Sequence, residues 1–389
     1  MIRQVRSCRD KLHAAGMVRP ERLAILVEDD QLLQEGAEDL LALGRDVFAG
    51  TGAMAMMIAE PDVPLQTLIP MSIAADVHSL TPLDTETRTF LHDIPVIRRH
   101  RGPLPHREII AALRRRKGVL VEDVGLIAVG QMTVEQTYVN LSSLYHALFV
   151  SCLLRLVRSG RFLGAAEKDL LRPLVRSLSV DIPPAFADMP SDFPDNCSAV
   201  RHAMAQAGRR TVELKLVDSF FGNVSCRSDQ GVLISQTGAS LDHLDECIDL
   251  VPDDNSSTAG ITASSELVAH RAIYRQTKAR VILHGHPKFS VIASLNCAET
   301  DCPVSDCWRE CTRPRSIGPV PIVAGEIGAG GIAETLPAAM AGGIAIVYGH
   351  GVFACGQQGF RDPLQAMIAL ENRCRREYLN RLISIQGAF

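Results

Sequence analysis

The chain has 389 residues, 47% of them hydrophobic, and a formal net charge of −4, with an isoelectric point near 6.3. That length allows two domains, each with its own core, and the mildly acidic balance excludes the basic footprint of a nucleic-acid binder. The run Arg114-Arg115-Arg116-Lys117 is read as a solvated helix end, and a small, anionic substrate is expected instead. The first residues, Met1 to Arg6, lack the apolar core of a secretory signal, and no stretch reaches about 18 uninterrupted apolar residues. The eleven cysteines are scattered as free thiols would be, so the expectation is a cytoplasmic protein with no membrane partner.

In chain order, the first strongly patterned helix starts at Thr133, with Gln136 three residues on as in a capping box. Val134, Tyr138, Leu141, Leu144, Leu148, Phe149, Leu153 and Leu156 make it apolar on more than one face, which predicts burial between domains or subunits. The segment Ile182 to Asn196 has four prolines, three aspartates and no period. It reads as a linker, giving domains at 1–181 and 197–389 around 182–196.

Beyond the linker the pattern predicts a helix over 198–208, strands at 225–227 and 232–235, and a helix over 265–277. Strands at 280–283, 320–323 and 344–348 follow, then a helix begun by Asp362-Pro363. The order is mixed α/β with antiparallel strands in the sheet. The glycine-rich stretch Gly325 to Gly331 lacks the order of a dinucleotide loop and reads as a turn before a helix over 332–341, so no dinucleotide cofactor is expected.

The two halves are related. Gly125-Leu-Ile-Ala-Val-Gly130-Gln131 matches Gly351-Val-Phe-Ala-Cys-Gly356-Gln357 at an offset of 351 − 125 = 226. The same offset aligns Pro61 with Pro287, Pro95 with Pro321 and Glu108 with Glu334. It also sets His284, His286 and His350 opposite Ile58, Glu60 and Val124, so the first copy has lost these histidines. At that offset the counterpart of Gly222-Asn223 falls before Met1, which predicts a degenerate repeat truncated at its start.

His284-Gly285-His286 ends the apolar run Ala279 to Leu283, and His350 lies in Ile346-Val-Tyr-Gly-His-Gly-Val. The two-residue period of a strand turns His284 and His286 to one face. Three imidazoles leave positions of a divalent ion open, as a catalytic site requires. Phe221-Gly222-Asn223, Ser235-Gln236-Thr237-Gly238 and Ser264-Ser265-Glu266 are turns of small and hydroxyl residues that suit an oxyanion. His13 and His243 are read as ordinary surface or core residues. His270, one turn after Glu266, is read the same way, with a position facing the site left open.

In this order and spacing, Gly-Asn-x-Ser-x-Arg, Thr-Gly, Ser-Ser-Glu-x-x-x-His, His-x-His-Pro and His-Gly resemble the class II aldolase/adducin family over about residues 197–389, nearest its fuculose-phosphate aldolase branch. The resemblance implies a three-layer α/β/α fold with a mainly antiparallel sheet, the N-terminal half being a partial repeat at about 30–160. It implies zinc, or another divalent metal, on His284, His286 and His350, and Glu266 as catalytic acid and base. Gly222, Asn223, Thr237, Gly238, Ser264 and Ser265 would bind phosphate. The implied reaction is the retro-aldol cleavage of a small hydroxyketone or sugar phosphate, in a homo-oligomer with sites between subunits. Epimerases of the family carry aspartate where Glu266 stands; a dehydratase or epimerase, or a non-catalytic adducin-like assembly protein, are the alternatives. Two departures stand out. Phe220 replaces a small hydroxyl residue, and Glu299 to Pro319 lacks the family's proton-donating tyrosine, leaving Tyr348 and Tyr378 as candidates. The run Cys297, Cys302, Cys307, Cys311 is spaced too widely for a tight zinc knuckle; free thiols, with Cys302 and Cys307 as a redox pair, or a second metal both remain open.

Overall fold

Strands that are apolar on both faces, such as Ala55–Pro61 and Val281–Gly285, need helices on either side of their sheet. Each half of the chain supplies that arrangement. The computed structural model describes residues 1–99, 102–159, 162–184, 189, 196–254, 256–297, 302, 306–311, 313–325 and 329–387. It divides into two units, one of Met1–Ser177 with the chain end from Leu382, the other of Leu178–Arg381. Most of the expected linker over 182–196 lies outside the described residues, as does part of the glycine-rich turn.

The first unit contains α1 (Ile2–Ala15), β1 (Val18–Glu28), β2 (Leu32–Gly36), α2 (Glu38–Thr51), β3 (Ala55–Pro61), α3 (Val63–Ser72) and β4 (Ser79–Leu80). It continues with α4 (Thr85–Leu91), β5 (Ile94–Ile97), α5 (His106–Leu113), β6 (Gly118–Val121), β7 (Gly125–Gly130), α6 (Val134–Arg158) and α7 (Ala165–Leu178). Its sheet runs β2-β1-β3-β7-β6-β5-β4. Pairing is antiparallel except between β5 and β6.

The second unit contains α8 (Cys197–Glu213), β8 (Asn223–Ser228), β9 (Gly231–Ser235), β10 (Ile248–Val251), α9 (Leu267–Gln276), β11 (Val281–Gly285) and α10 (Lys288–Leu295). After these come β12 (Arg315–Ile317), β13 (Val320–Val323), α11 (Ala329–Ala339), β14 (Ile344–Val347), β15 (Gly351–Gly356) and α12 (Arg361–Gln386). The sheet order is β10-β9-β8-β11-β15-β14-β13-β12, and only β13 and β14 pair in parallel. One face packs on α9 and α11 through Ile234, Ile282, Val347 and Phe353 with Leu267, Ile273 and Leu336; α8, α10 and α12 belong to the other. This is the expected three-layer α/β/α fold. The sequence pattern passed over α10, whose apolar run has no polar face, and the strands β10, β12 and β15.

The repeat is real at the level of strands. Adding 226 to the bounds of β5, β6 and β7 gives those of β13, β14 and β15. Its missing part, however, is not at the start. Ala24 on β1 pairs with Ile58 on β3, as Asn223 on β8 pairs with His284 on β11. The offset here is 223 − 24 = 199, which falls 27 short of 226. β1 therefore occupies the place expected to be lost, and the first unit instead lacks a counterpart of residues 236–262, the stretch that holds Thr237, Gly238 and β10. The ungapped offset hid this because the deletion lies between β2 and α2, which only Ala37 separates.

Helix α6 is buried within its own unit. It packs on α1, α3, α4 and on β3, β6 and β7 of its own unit. Among the described residues it is the one helix long and apolar enough to cross a membrane, and 89% of its apolar window is buried inside the protein. Its N-cap is Thr133, whose hydroxyl accepts from the Gln136 N–H at 3.0 Å. The Gln136 side chain reaches back to the N–H groups of Gln131 and Met132 at 2.8 and 3.0 Å. Thr133→Ala should cost about 1 kcal/mol, measured as a lower unfolding midpoint in urea.

Candidate metal centre

His284 lies on the α9 face of β11, two residues after Ile282 in the core. Gly285 follows, and a side chain there would press on the Leu216 carbonyl. The tight turn to His350 is made by Gly349, at φ 60. Gly351 is pinned more severely, because a Cβ would stand 2.4 Å from the Gly285 oxygen and 3.0 Å or less from both the His284 and His286 rings. These glycines let three imidazoles meet: the ligand nitrogens of His284, His286 and His350 all lie within 4.8 Å of one another. The Nε2 atoms of His284 and His286 are 2.9 Å apart.

The donor set fits a divalent cation. His284 Nδ1 lies 3.0 Å from the Val352 carbonyl, which can only accept, so Nδ1 carries the proton and Nε2 presents its lone pair to the cluster. Burial pushes the His284 pKa down to about 4 against the opposing pull of Glu266. The imidazole is therefore neutral at pH 7, the form that binds metal.

Glu266 precedes α9 and is buried. Its Oε1 is 2.8 Å from His350 Nε2, and its Oε2 is 3.4 Å from His284 Nε2. The Asn223 amide donates to Oε2 at 2.6 Å. Burial alone would raise the glutamate's pKa, but His284, the His350 contact and the Asn223 hydrogen bond together hold it well below the usual carboxylate range. Asn223 Oδ1 is buried with no partner among the described residues. Gly222, at φ 78 and where a Cβ would lie 2.4 Å from the His284 oxygen, brings this amide against the cluster.

The hydroxyl turns join the same site through Glu266. Ser264 Oγ accepts from the Glu266 N–H at 3.3 Å. Thr237 donates to the Ala263 carbonyl at 3.0 Å and accepts from the Ser265 N–H at 3.1 Å. Its hydroxyl thus holds the turn, while Gly238, at φ 71, and Ser265 stand exposed beside it. All ten residues singled out from the sequence are therefore linked by direct contacts or neighbouring positions.

Other candidates fall elsewhere. Tyr378 is buried against Phe289, ring centroids 5.6 Å apart, and Tyr348 lies under the Arg315 guanidinium. Phe220 is half-buried, and its neighbour Phe221 packs on His286 at 5.9 Å. The four cysteines of the 297–311 run are free thiols, and the residues between the first two lie outside the described part. Sequence reasoning missed the layer behind Glu266. Ser225 Oγ is 2.6 Å from His270 Nδ1 and 2.7 Å from the Tyr274 hydroxyl, all three buried. Phe353 stacks on His284 at 4.0 Å and meets His270 edge-on at 5.8 Å. The signal was present as Glu266, His270 and Tyr274, spaced four apart on one helix face.

In the first unit the corresponding positions are Ala24, Leu40, Ile58 and Val124, and all four belong to one apolar cluster. Glu60, opposite His286, pairs with Arg19 and Arg22 at 3.1 and 2.9 Å. The site there has become core and surface ion pairs.

Residues 202–378 match the family described as Class II Aldolase and Adducin N-terminal domain. It is these residues that carry the match, which covers less than half of the chain. Among solved structures, the chain is similar to l-fuculose-1-phosphate aldolase from Thermus thermophilus, at 25% identity over 48% of this chain and 96% of that one, TM-score 0.39. It is similar to YgbL, a putative aldolase/epimerase/decarboxylase from Escherichia coli, at 19% identity over 49% and 99%, TM-score 0.38. L-fuculose 1-phosphate aldolase from Glaciozyma antarctica is similar at 16% identity over 52% and 79%, TM-score 0.35. No curated protein matches the chain.

Two outcomes follow from this class II aldolase-like site. Burial lowers the pKa of His270 to about 3 and that of His284 to about 4, so below pH 6.5 the unfolded chain takes up protons that the folded one refuses. Each histidine then lowers stability by up to about 1.4 kcal/mol per pH unit as pH falls. Metal-free protein unfolded in urea at pH 7 and pH 4.5 should show this loss, and His270→Gln should show a shallower one. In the first unit, Ile58→His should add no metal to the protein and cost about 3 kcal/mol, the penalty of an unpartnered polar group in core; metal content and urea unfolding check both halves.

Proposed function

We propose that the protein is a zinc-dependent class II aldolase, a lyase that cleaves a small hydroxyketone or sugar phosphate by a retro-aldol reaction. Residues 197–389 form its catalytic domain, 182–196 a linker and 1–181 a degenerate domain without metal ligands, in a cytoplasmic homo-oligomer. The observation that carries this reading is the convergence of three imidazoles on one buried, ionised carboxylate, Glu266.

His284, His286 and His350 would hold the zinc through their ring nitrogens. When bound, it supplies the positive charge that polarises the substrate's ketone and draws electron density from the breaking C–C bond. Glu266 moves the protons. In cleavage the carbinol that becomes the aldehyde must lose its hydroxyl proton, and the carbon freed on the ketone side must gain one. A carboxylate fixed between His350 and the Asn223 amide is ionised at the start, as a base must be. Gly222 and Asn223 close one wall, and the anionic end of the substrate lies against Thr237, Gly238, Ser264 and Ser265, where the exposed Ser265 hydroxyl and the Gly238 amide supply donors.

Zinc content by mass spectrometry and ketone release from a panel of ketose phosphates and plain hydroxyketones test the proposal together. Glu266→Gln should keep its zinc and lose roughly 10²- to 10⁴-fold in turnover, while His284→Ala should lose both. A protein purified without divalent metal, or a His284→Ala variant with full lyase activity, would refute it. Products that keep the carbon skeleton intact would move the assignment to an epimerase or dehydratase.

A further inference from the structure

The loops that present His286 and His350 are both fastened to one short helix, α10, and the first turn of that helix is capped by one distant carboxylate. Its N-cap residue is Pro287, which follows His286 and has no side-chain acceptor to offer the first N–H groups. Glu371, on α12, supplies the acceptors from a distance. Its Oε1 accepts from the Phe289 N–H at 2.9 Å, and its Oε2 accepts from the Ser290 N–H and hydroxyl, both at 2.8 Å. Three donors and no acceptor converge on this buried side chain, a demand that a carboxylate meets and an amide does not. One turn further along, Ser294 donates to the Val291 carbonyl at 2.7 Å and accepts from the Gly349 N–H at 2.9 Å. Gly349 is the residue before His350.

The first unit repeats the scaffold without the chemistry and makes the cap differently. Its α3, the counterpart of α10, carries its own N-cap, Asp62, which accepts from the Leu65 N–H at 3.2 Å. Subtracting 226 from Glu371 gives Tyr145, whose hydroxyl donates to Asp62 at 3.0 Å, and from Ser294 gives Leu68, a core residue. The long-range carboxylate and the serine clamp occur together where the histidines are present. Both are absent where the histidines are gone.

From this we infer that Glu371 is a positioning residue of the metal centre: acting through α10, it sets the separation of the His286 and His350 rings. The inference rests on the metal-site reading above. The test is zinc affinity, measured on the full-length chain by competition with a chromogenic chelator, alongside the melting temperature of the metal-free protein. Glu371→Gln should bind zinc ten- to a hundredfold more weakly, and Ser294→Ala, a smaller lesion that guards against a misfolded first variant, roughly tenfold more weakly. Folded variants that keep wild-type affinity, whatever their melting temperature, overturn the inference and leave the metal site standing. Wild-type protein that binds no zinc overturns both.

Discussion

The structure turns on a burial problem. Glu266, His284 and His286 are sequestered on a face of the sheet that is otherwise hydrophobic core, and Asn223 lies with them. An isolated charge or amide in such a place is costly, so the arrangement persists only because each polar group is answered by another. The carboxylate faces two imidazoles and an amide, and the His284 ring is fixed by a backbone carbonyl. Among the described residues, Asn223 Oδ1 and His270 Nε2 are buried without a hydrogen-bond partner. The first unit displays the alternative, since the same four places hold alanine, leucine, isoleucine and valine. Retaining the polar set in one copy means that something other than stability keeps it there.

Much of this was legible in the sequence, for identifiable reasons. The histidines, Glu266 and the hydroxyl turns could be read because strand period and helix starts fix where such residues point. The glycine segments could be matched because β7 and β15 share a length and a turn, Asp123 keeping at φ 62 the left-handed backbone of Gly349. The layer behind the site was harder. Ser225 comes from a different element than His270 and Tyr274, which share α9, and only the pairing of β8 with β11 places Ser225 opposite Ile282 beneath that helix. Glu371 is separated from its partners by 81 and 82 residues, with no local pattern to mark it.

The 27-residue difference between the copies adds a functional distinction. Residues 236–262 build β10 and the Thr237-Gly238 turn, and in the first unit β2 runs almost directly into α2. What that copy lacks is the wall opposite the hydroxyls at the start of α9. That copy therefore has no counterpart of the three histidines, of Glu266 or of the Thr237-Gly238 turn, while keeping the strand order around them. Its seven-stranded sheet is intact although the polar set is not.

Because the chain contains both copies, it separates residues that serve the fold from those that serve the site. Gly351 looks like a site residue, since a Cβ would strike two ligand rings. Its counterpart Gly125 is nonetheless kept where no ligand remains, because a Cβ there would lie 2.4 Å from the Ala59 oxygen, just as at Gly351 it would lie 2.4 Å from that of Gly285. That glycine answers to the close pairing of the central strands. Gly222 behaves in the opposite way: the strand register sets it opposite Leu23, a buried core residue. The fold accepts a large side chain at this position, and only the copy with histidines needs the left-handed turn that carries an amide to Glu266. Gly222 thus belongs with the chemistry, although no atom of its own would touch a substrate through a side chain.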